Sequence, residues 1–300
     1  MMAGLGISDL QPPGNIYRVD KRTNHPGGLI SFETEADSKR EDARRATGLA
    51  KTIAKGILDP KEEARARRLQ GDLEAAAKTG ELTPTLACHL YMRWQRICIA
   101  GHLWKQMRIA RRHTTATIIV RTWEYSPEEL LAVNPRKLMK AFRTDLYRAG
   151  IKVIDGWLFA YLHGEFDPIA KVFRLHLHLA LTKSLVPVID RLRTKRNYRS
   201  TRLLPDGSPS PVFRRVWVRR KPLINMPEPV TYVVQSFWPA RPIHIDDQGR
   251  RSRLRQKGAI REPFHSRVLL WLDRWKVEDL TLMVGLKVTR AGLIRTRGRR

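Results

Sequence analysis

The chain has 300 residues, 42% of them hydrophobic and 29% charged, which is enough apolar material for a packed core and excludes wholesale disorder. Lys and Arg number 57 against 29 Asp and Glu, a net charge of +28. Self-repulsion on that scale points to a polyanionic partner, nucleic acid before an anionic membrane, and no apolar run reaches the roughly 18 residues of a membrane span.

Residues 1–11 lack a basic cluster followed by an apolar stretch, so no secretory leader is expected. Residues 1–36 are rich in Pro, Gly and polar side chains and are expected to be poorly ordered. Residues 37–113 read as a helical region. Asp59 before Pro60, with Glu62 and Glu63 in the first turn, predicts a helix start, and Gly80 a stop. A further helix is predicted to open at Thr83 and Pro84 and run to about residue 112, with Leu86, Leu90, Trp94, Ile97 and Leu103 on one face. The only cysteines, Cys88 and Cys98, fall on that helix about 15 Å apart, too far to bridge. Unpaired thiols suit a reducing compartment, and the cytoplasm is the expected location.

The texture changes at residue 114. Residues 114–122 are β-branched and predict a strand; Ser126 and Pro127 open a helix over 128–149 that Gly150 ends. Strands follow at 151–162 and 172–182, with Gly164 and Pro168 in the turn between them. A basic helix is predicted over 185–198, a loop over 205–211, a strand over 212–220 and a short helix over 229–238. The order β-α-β-β-α-β predicts an α+β fold, a ferredoxin-like antiparallel sheet over residues 114–238. Residues 239–262 read as a basic linker or extended arm, and 263–300 as a helical segment. Within it, residues 277–295 have the pattern of a helix-turn-helix, with Gly285 at the turn and Thr289, Arg290 and Arg295 toward DNA. The competing reading is a packing appendage of the main domain, favoured by Gly292 inside the second helix.

The segment around His176, Leu177 and His178 is the most informative. In a strand alternate side chains share a face, so the two imidazoles point one way and Leu175, Leu177 and Leu179 the other. Two imidazoles about 7 Å apart on one face can grip a divalent cation. The preceding strand offers a third ligand, His163 or Glu165, and Glu165 is the better match for Mg²⁺ or Mn²⁺, which prefer oxygen.

These residues resemble the HUH endonucleases, a superfamily of rolling-circle replication initiators, relaxases and related transposases. His176-Leu177-His178 resembles the histidine motif; residues 156–165 resemble the strand before it; Tyr232, three residues before Gln235, resembles the catalytic-tyrosine motif, and residues 115–121 lie where the first motif falls. The resemblance covers roughly residues 114–238. It implies the same βαββαβ order and a reaction in which Tyr232, aided by a metal on the histidines, attacks a phosphate of single-stranded or hairpin origin DNA to leave a 5′-phosphotyrosine and a free 3′-hydroxyl. It departs at Gln235, where many initiators have lysine, which raises as the alternative a DNA-binding protein that keeps the fold without cutting. Tyr161 and Tyr198 are weaker candidates for the nucleophile.

The charge is concentrated late: residues 191–300 hold 27 basic and 8 acidic residues. One cluster contains Arg191, Arg193, Lys195, Arg196, Arg199 and Arg202; another contains Arg214, Arg215, Arg219, Arg220 and Lys221. Both are expected to contact phosphates, with Trp217 and Trp238 placed to stack on unpaired bases.

Overall fold

The computed structural model describes residues 5–13, 33–110, 112–203, 207, 210, 212–223, 228–235, 237–245, 251–253 and 258–296. Local signals start the first helices. At α1 (Glu35–Ala54) the Thr34 hydroxyl accepts the Asp37 N–H and the Asp37 carboxylate accepts the Thr34 N–H. At α2 (Pro60–Thr79) Asp59 caps, Pro60 opens the first turn, and Gly80 ends the helix in the left-handed conformation. α3 (His89–Ala110) starts later than its sequence suggests because a residue of α1 caps it: the Asp42 carboxylate accepts the N–H of His89 at 2.6 Å and of Leu90 at 2.9 Å. Cys88 and Cys98 are buried free thiols, which burial pushes up to about 12 and makes inert.

In chain order there follow β1 (His113–Tyr125), α4 (Pro127–Leu130), α5 (Pro135–Arg148), β2 (Leu158–Asp167), β3 (Val172–Thr182), α6 (Val186–Leu192), β4 (Val216–Val218) and α7 (Glu228–Thr231). After them come β5 (Pro239–Ala240), β6 (Ile243–Ile245), β7 (Arg251–Arg253), β8 (Gly258–Ala259), α8 (Phe264–Leu272), β9 (Thr281–Val284), β10 (Leu286–Thr289) and β11 (Gly292–Arg295). The architecture is α+β. The main sheet has the order β4-β1-β3-β2-β5-β8, with β9 also paired to β2. It is mixed: β2 and β5 are parallel, the other ladders antiparallel. A single buried apolar cluster joins α1–α3, the sheet and α8. Among the described residues no helix is long and apolar enough to cross a membrane.

Several expectations are corrected. Residues 151–153 form a 3-10 turn, so β2 begins late and Gly164 lies inside it. An added Cβ there would fall 2.5 Å from the Trp238 indole, which is why the position carries no side chain. The turn is carried by residues 168–171. The basic helix predicted over 185–198 stops at Leu192, the strand over 212–220 shrinks to β4, and the helix over 229–238 is the single turn of α7. Residues 239–262 are not a bare linker, since β5 and β8 extend the sheet. Helix-turn-helix geometry is absent from 277–295, which forms a 3-10 turn and strands. The edge of β2 offers unpaired backbone groups, and β9 satisfies them from Leu158 to Tyr161. Gly285 is a turn, but between strands, at φ +67 with its α-carbon against the Gly156 carbonyl. Of residues 1–36, the stretch 5–13 is built into the core through Ile7 and Leu10, and 14–32 lie outside the described residues.

Three histidines away from the sheet's histidine pair are held neutral. Burial pushes His89 down to about 3 and His113 to about 4, and also lowers His265. Each takes up its proton more readily unfolded than folded, so stability is intact above the ordinary imidazole range and falls as pH drops from about 6.5 toward 4. Glu33 and Glu41, which burial alone would raise, are held near 2 by Arg96 and by Arg44 with Arg45, so their contribution persists to about pH 4.5. Urea titrations are expected to give a lower unfolding free energy at pH 5 than at pH 7, with each histidine contributing up to about 1.4 kcal/mol per pH unit. A flat profile between those values would contradict the buried neutral imidazoles.

Candidate metal centre and tyrosine site

Register brings the histidines together. On β3, His176 lies across from His163 of β2 and Ile119 of β1, and His178 across from Tyr161 and Thr117. His163, His176 and His178 therefore share one face, while Leu175, Leu177 and Leu179 are fully buried on the other. His163 Nδ1 is 3.3 Å from His176 Nε2, which is 3.2 Å from His178 Nε2.

The outer nitrogens decide what the inner ones can do. His163 Nε2–H donates to the Phe237 carbonyl at 2.8 Å, and His176 Nδ1–H donates to the Arg174 carbonyl at 3.3 Å. A carbonyl only accepts, so each of these rings carries its proton outside and a lone pair inside. His178 Nδ1 lies 3.3 Å from the Thr117 hydroxyl. In the neutral rings two lone pairs then face one another between His163 and His176, a repulsion that a metal ion or an added proton among the rings relieves. Tetrahedral nitrogen ligands about 2.0–2.1 Å from a metal are about 3.3–3.4 Å apart, close to the spacing here. Outer hydrogen bonds that fix ring orientation are the usual support of metal-binding imidazoles. The three buried histidines thus fit a divalent metal, and an all-nitrogen set favours a first-row transition ion over Mg²⁺.

Glu165, preferred from sequence as the third ligand, is not part of the three-histidine convergence. It lies one rung beyond His163, across from Arg174, and its carboxylate is 3.7 Å from Arg241 Nη1. It lines the same cavity of about 130 Å³ without joining the three nitrogens that converge within 4.8 Å. Two other groups face that cavity. Arg241 Nε and Gln235 Oε1 are buried and lack a hydrogen-bond partner among the described residues. The sequence reading did not find Arg241. It sits in the stretch read as linker, and only the parallel pairing of β5 with β2 brings it to the site.

Tyr232 follows α7 and lies at the lip of this cavity. Its ring centroid is 5.0 Å from that of His178 in an edge-on arrangement, and the side chain is 42% exposed. Its backbone is held from α3. Arg96 Nε donates to the Val234 carbonyl at 2.6 Å, Nη2 to the Thr231 carbonyl at 3.5 Å, and Nη1 to Glu33 at 2.6 Å. The guanidinium therefore grips the chain on both sides of Tyr232, a role no local pattern announced. The two weaker candidates, Tyr161 and Tyr198, are both buried. Burial raises the Tyr161 phenol well above its ordinary value inside β2. Tyr198, raised by burial and by Asp145, donates its hydroxyl to that carboxylate at 2.7 Å.

A groove of about 850 Å³ opens from Tyr232 and His178 along β4. Arg193, Arg214, Arg219, Arg220 and Lys221 line it, with Trp217 exposed beneath the Arg214 guanidinium at 5.0 Å. Arg193 and Arg220 both pair with Asp190, at 3.0 and 2.6 Å. Lys195, Arg196 and Arg199 lie in adjoining hollows, and Lys195 is tied to Asp145 at 3.4 Å. Arg191 is exposed, but its Nε caps α5 at the Ala149 carbonyl. Two expectations are corrected here. Arg215 is 1% exposed and cannot meet a phosphate on the surface, because its carbonyl joins the β1 ladder at Ile119 and its side chain turns inward near Glu124. Trp238 is buried against Gly164 and Trp271, so it cannot stack on a base. No protein-family model, curated protein or solved structure matches the chain.

Proposed function

We propose that this protein is a metal-dependent tyrosine nuclease that cuts and rejoins single-stranded DNA, in the manner implied by its resemblance to the HUH endonucleases and to rolling-circle replication initiators in particular. The observation that carries the reading is the Tyr232 ring at the lip of a cavity where three imidazole nitrogens converge. The succession β1-α5-β2-β3-α6-β4 and the order β4-β1-β3-β2 within the sheet support it, being the arrangement of a ferredoxin-like domain. The net charge of +28 supports a DNA partner.

A divalent ion on His163, His176 and His178 would withdraw charge from the scissile phosphate. Tyr232 Oη forms a bond to phosphorus and loses its proton to solvent; the P–O3′ bond breaks, and the departing oxygen takes a proton to become a 3′-hydroxyl. The product is a 5′-phosphotyrosine, and attack by a 3′-hydroxyl reverses the step. Arg96 holds the nucleophile's backbone in place. Arg241 offers a fixed positive charge in the same cavity.

Gln235 favours the second reading, a DNA-binding protein that does not cut, since a neutral amide faces the cavity where the resembling enzymes carry lysine. Incubation of the full chain with single-stranded DNA and Mn²⁺, followed by a denaturing gel, separates the two. The nuclease is expected to leave a covalent protein–DNA band that EDTA prevents. DNA retained by the native protein, with no such band on any single-stranded substrate, would establish the second reading instead.

A further inference from the structure

We infer that a single strand of nucleic acid leaves the tyrosine site along the β4 edge of the sheet, held there by two arginine-capped aromatic platforms, Trp217 with Arg214 and Phe213 with Arg202. This rests on the reading of the substrate as a single strand, and adds where the strand runs and what grips it.

The platforms are unusual for this fold, which buries most of its large rings. Trp217 is 56% exposed and Phe213 50%. Each has a guanidinium over its face, Arg214 at 5.0 Å from the Trp217 centroid and Arg202 at 5.5 Å from that of Phe213. An exposed ring with a cation on it offers a base one π-surface and one charge for the adjoining phosphate. The rings are four residues apart, hence at most about 14 Å along the chain, so two bases of one strand meet them rather than one.

The hollows are lined by neighbouring residues of the same segments. The groove lined by Tyr232 is also lined by Arg193 and Arg214. A second hollow, of about 640 Å³, is lined by the residues adjacent to these in the chain, Thr194 and Phe213. A third, of about 620 Å³, shares Arg121 and Arg196 with the second.

Part of the charge along the path is unspent. Arg193, Lys195 and Arg220 are neutralised by Asp190 and Asp145. Among the described residues Arg121, Arg196, Arg199, Arg202 and Arg214 have no acid within ion-pair distance, and all line this path. A duplex hides the base faces that the rings would use; a single strand presents them whatever its sequence.

Binding measured in EDTA, where cutting is not required, tests the path. The full chain is titrated with oligothymidylate, oligouridylate and a duplex of the same length, following tryptophan emission and salt dependence. A single strand is expected to quench emission. Trp217→Ala and Phe213→Ala are each expected to weaken it about 5- to 150-fold with the salt slope unchanged. Trp217→Phe should keep most of the affinity and lose most of the quench. Arg196→Ala and Arg199→Ala should each flatten the log K against log salt slope by about 0.7. The tighter of the two oligonucleotides names the strand as DNA or RNA. Wild-type affinity in both ring-to-Ala variants, or a duplex bound as tightly and with the same quench, overturns the inference. A wild type that forms the adduct yet ignores both ring substitutions keeps the nuclease and loses the path; one that binds through the rings and forms no adduct does the reverse.

Discussion

Tyr232→Phe is expected to abolish strand cleavage and the covalent adduct together, a loss of about 10⁴-fold or more, because it removes the only atom proposed to bond to phosphorus. The substitution deletes a hydroxyl from a side chain that is 42% exposed, so the unfolding free energy should change by less than about 0.5 kcal/mol. The ring contact with His178 and the Arg96 grip on Thr231 and Val234 both survive it. Loss of activity therefore cannot be ascribed to a displaced loop. Cleavage assays and denaturing gels, with circular dichroism as the control for folding, read the outcome. A Phe variant that still cuts at the wild-type rate would assign the nucleophile to water or another group.

Joint replacement of His176 and His178 by Ala is expected to remove both metal binding and Mn²⁺-dependent cleavage while leaving DNA affinity in EDTA largely intact. The separation follows from the layout: the imidazoles are buried in their cavity, and the phosphate contacts come from arginines along the β4 edge. Metal that binds only the folded chain stabilises it, by about 2.7 kcal/mol at 100 times Kd, or about 4 °C in Tm for a chain of 300 residues. The wild type should show that shift with Mn²⁺, and the double variant should not. His163→Ala should lose it as well. Glu165→Ala should retain it, since the three converging nitrogens are those of His163, His176 and His178, and its carboxylate pairs with Arg241 at 3.7 Å. A shift lost in Glu165→Ala and kept in His163→Ala would reverse the ligand assignment.

The contrast between His163 and Glu165 shows how far the sequence reaches. Both lie on one face of β2 by alternation, which is why either was an acceptable third ligand from sequence. Choosing between them takes the register of the β2–β3 hairpin, which puts His163 opposite His176 and Glu165 opposite Arg174. A slip of two residues would exchange them without altering either strand's pattern. The turn at 168–171 sets the register, and Gly164, a turn residue by sequence, lies inside β2 and makes room for Trp238.

By itself the sequence determined the α+β class, the shared face of His176 and His178, and a basic surface around Trp217, because each follows from a local period or from composition. The tertiary structure alone decided that Arg96 and Glu33 hold Tyr232, that Arg241 enters the metal cavity, that Arg215 is buried, and that residues 281–295 are strands rather than helices. In the first two cases the partners lie far apart in the chain. In the last, a short apolar pattern fits more than one conformation: the open edge of β2 takes up β9, and β10 and β11 satisfy their backbone hydrogen bonds by pairing with each other.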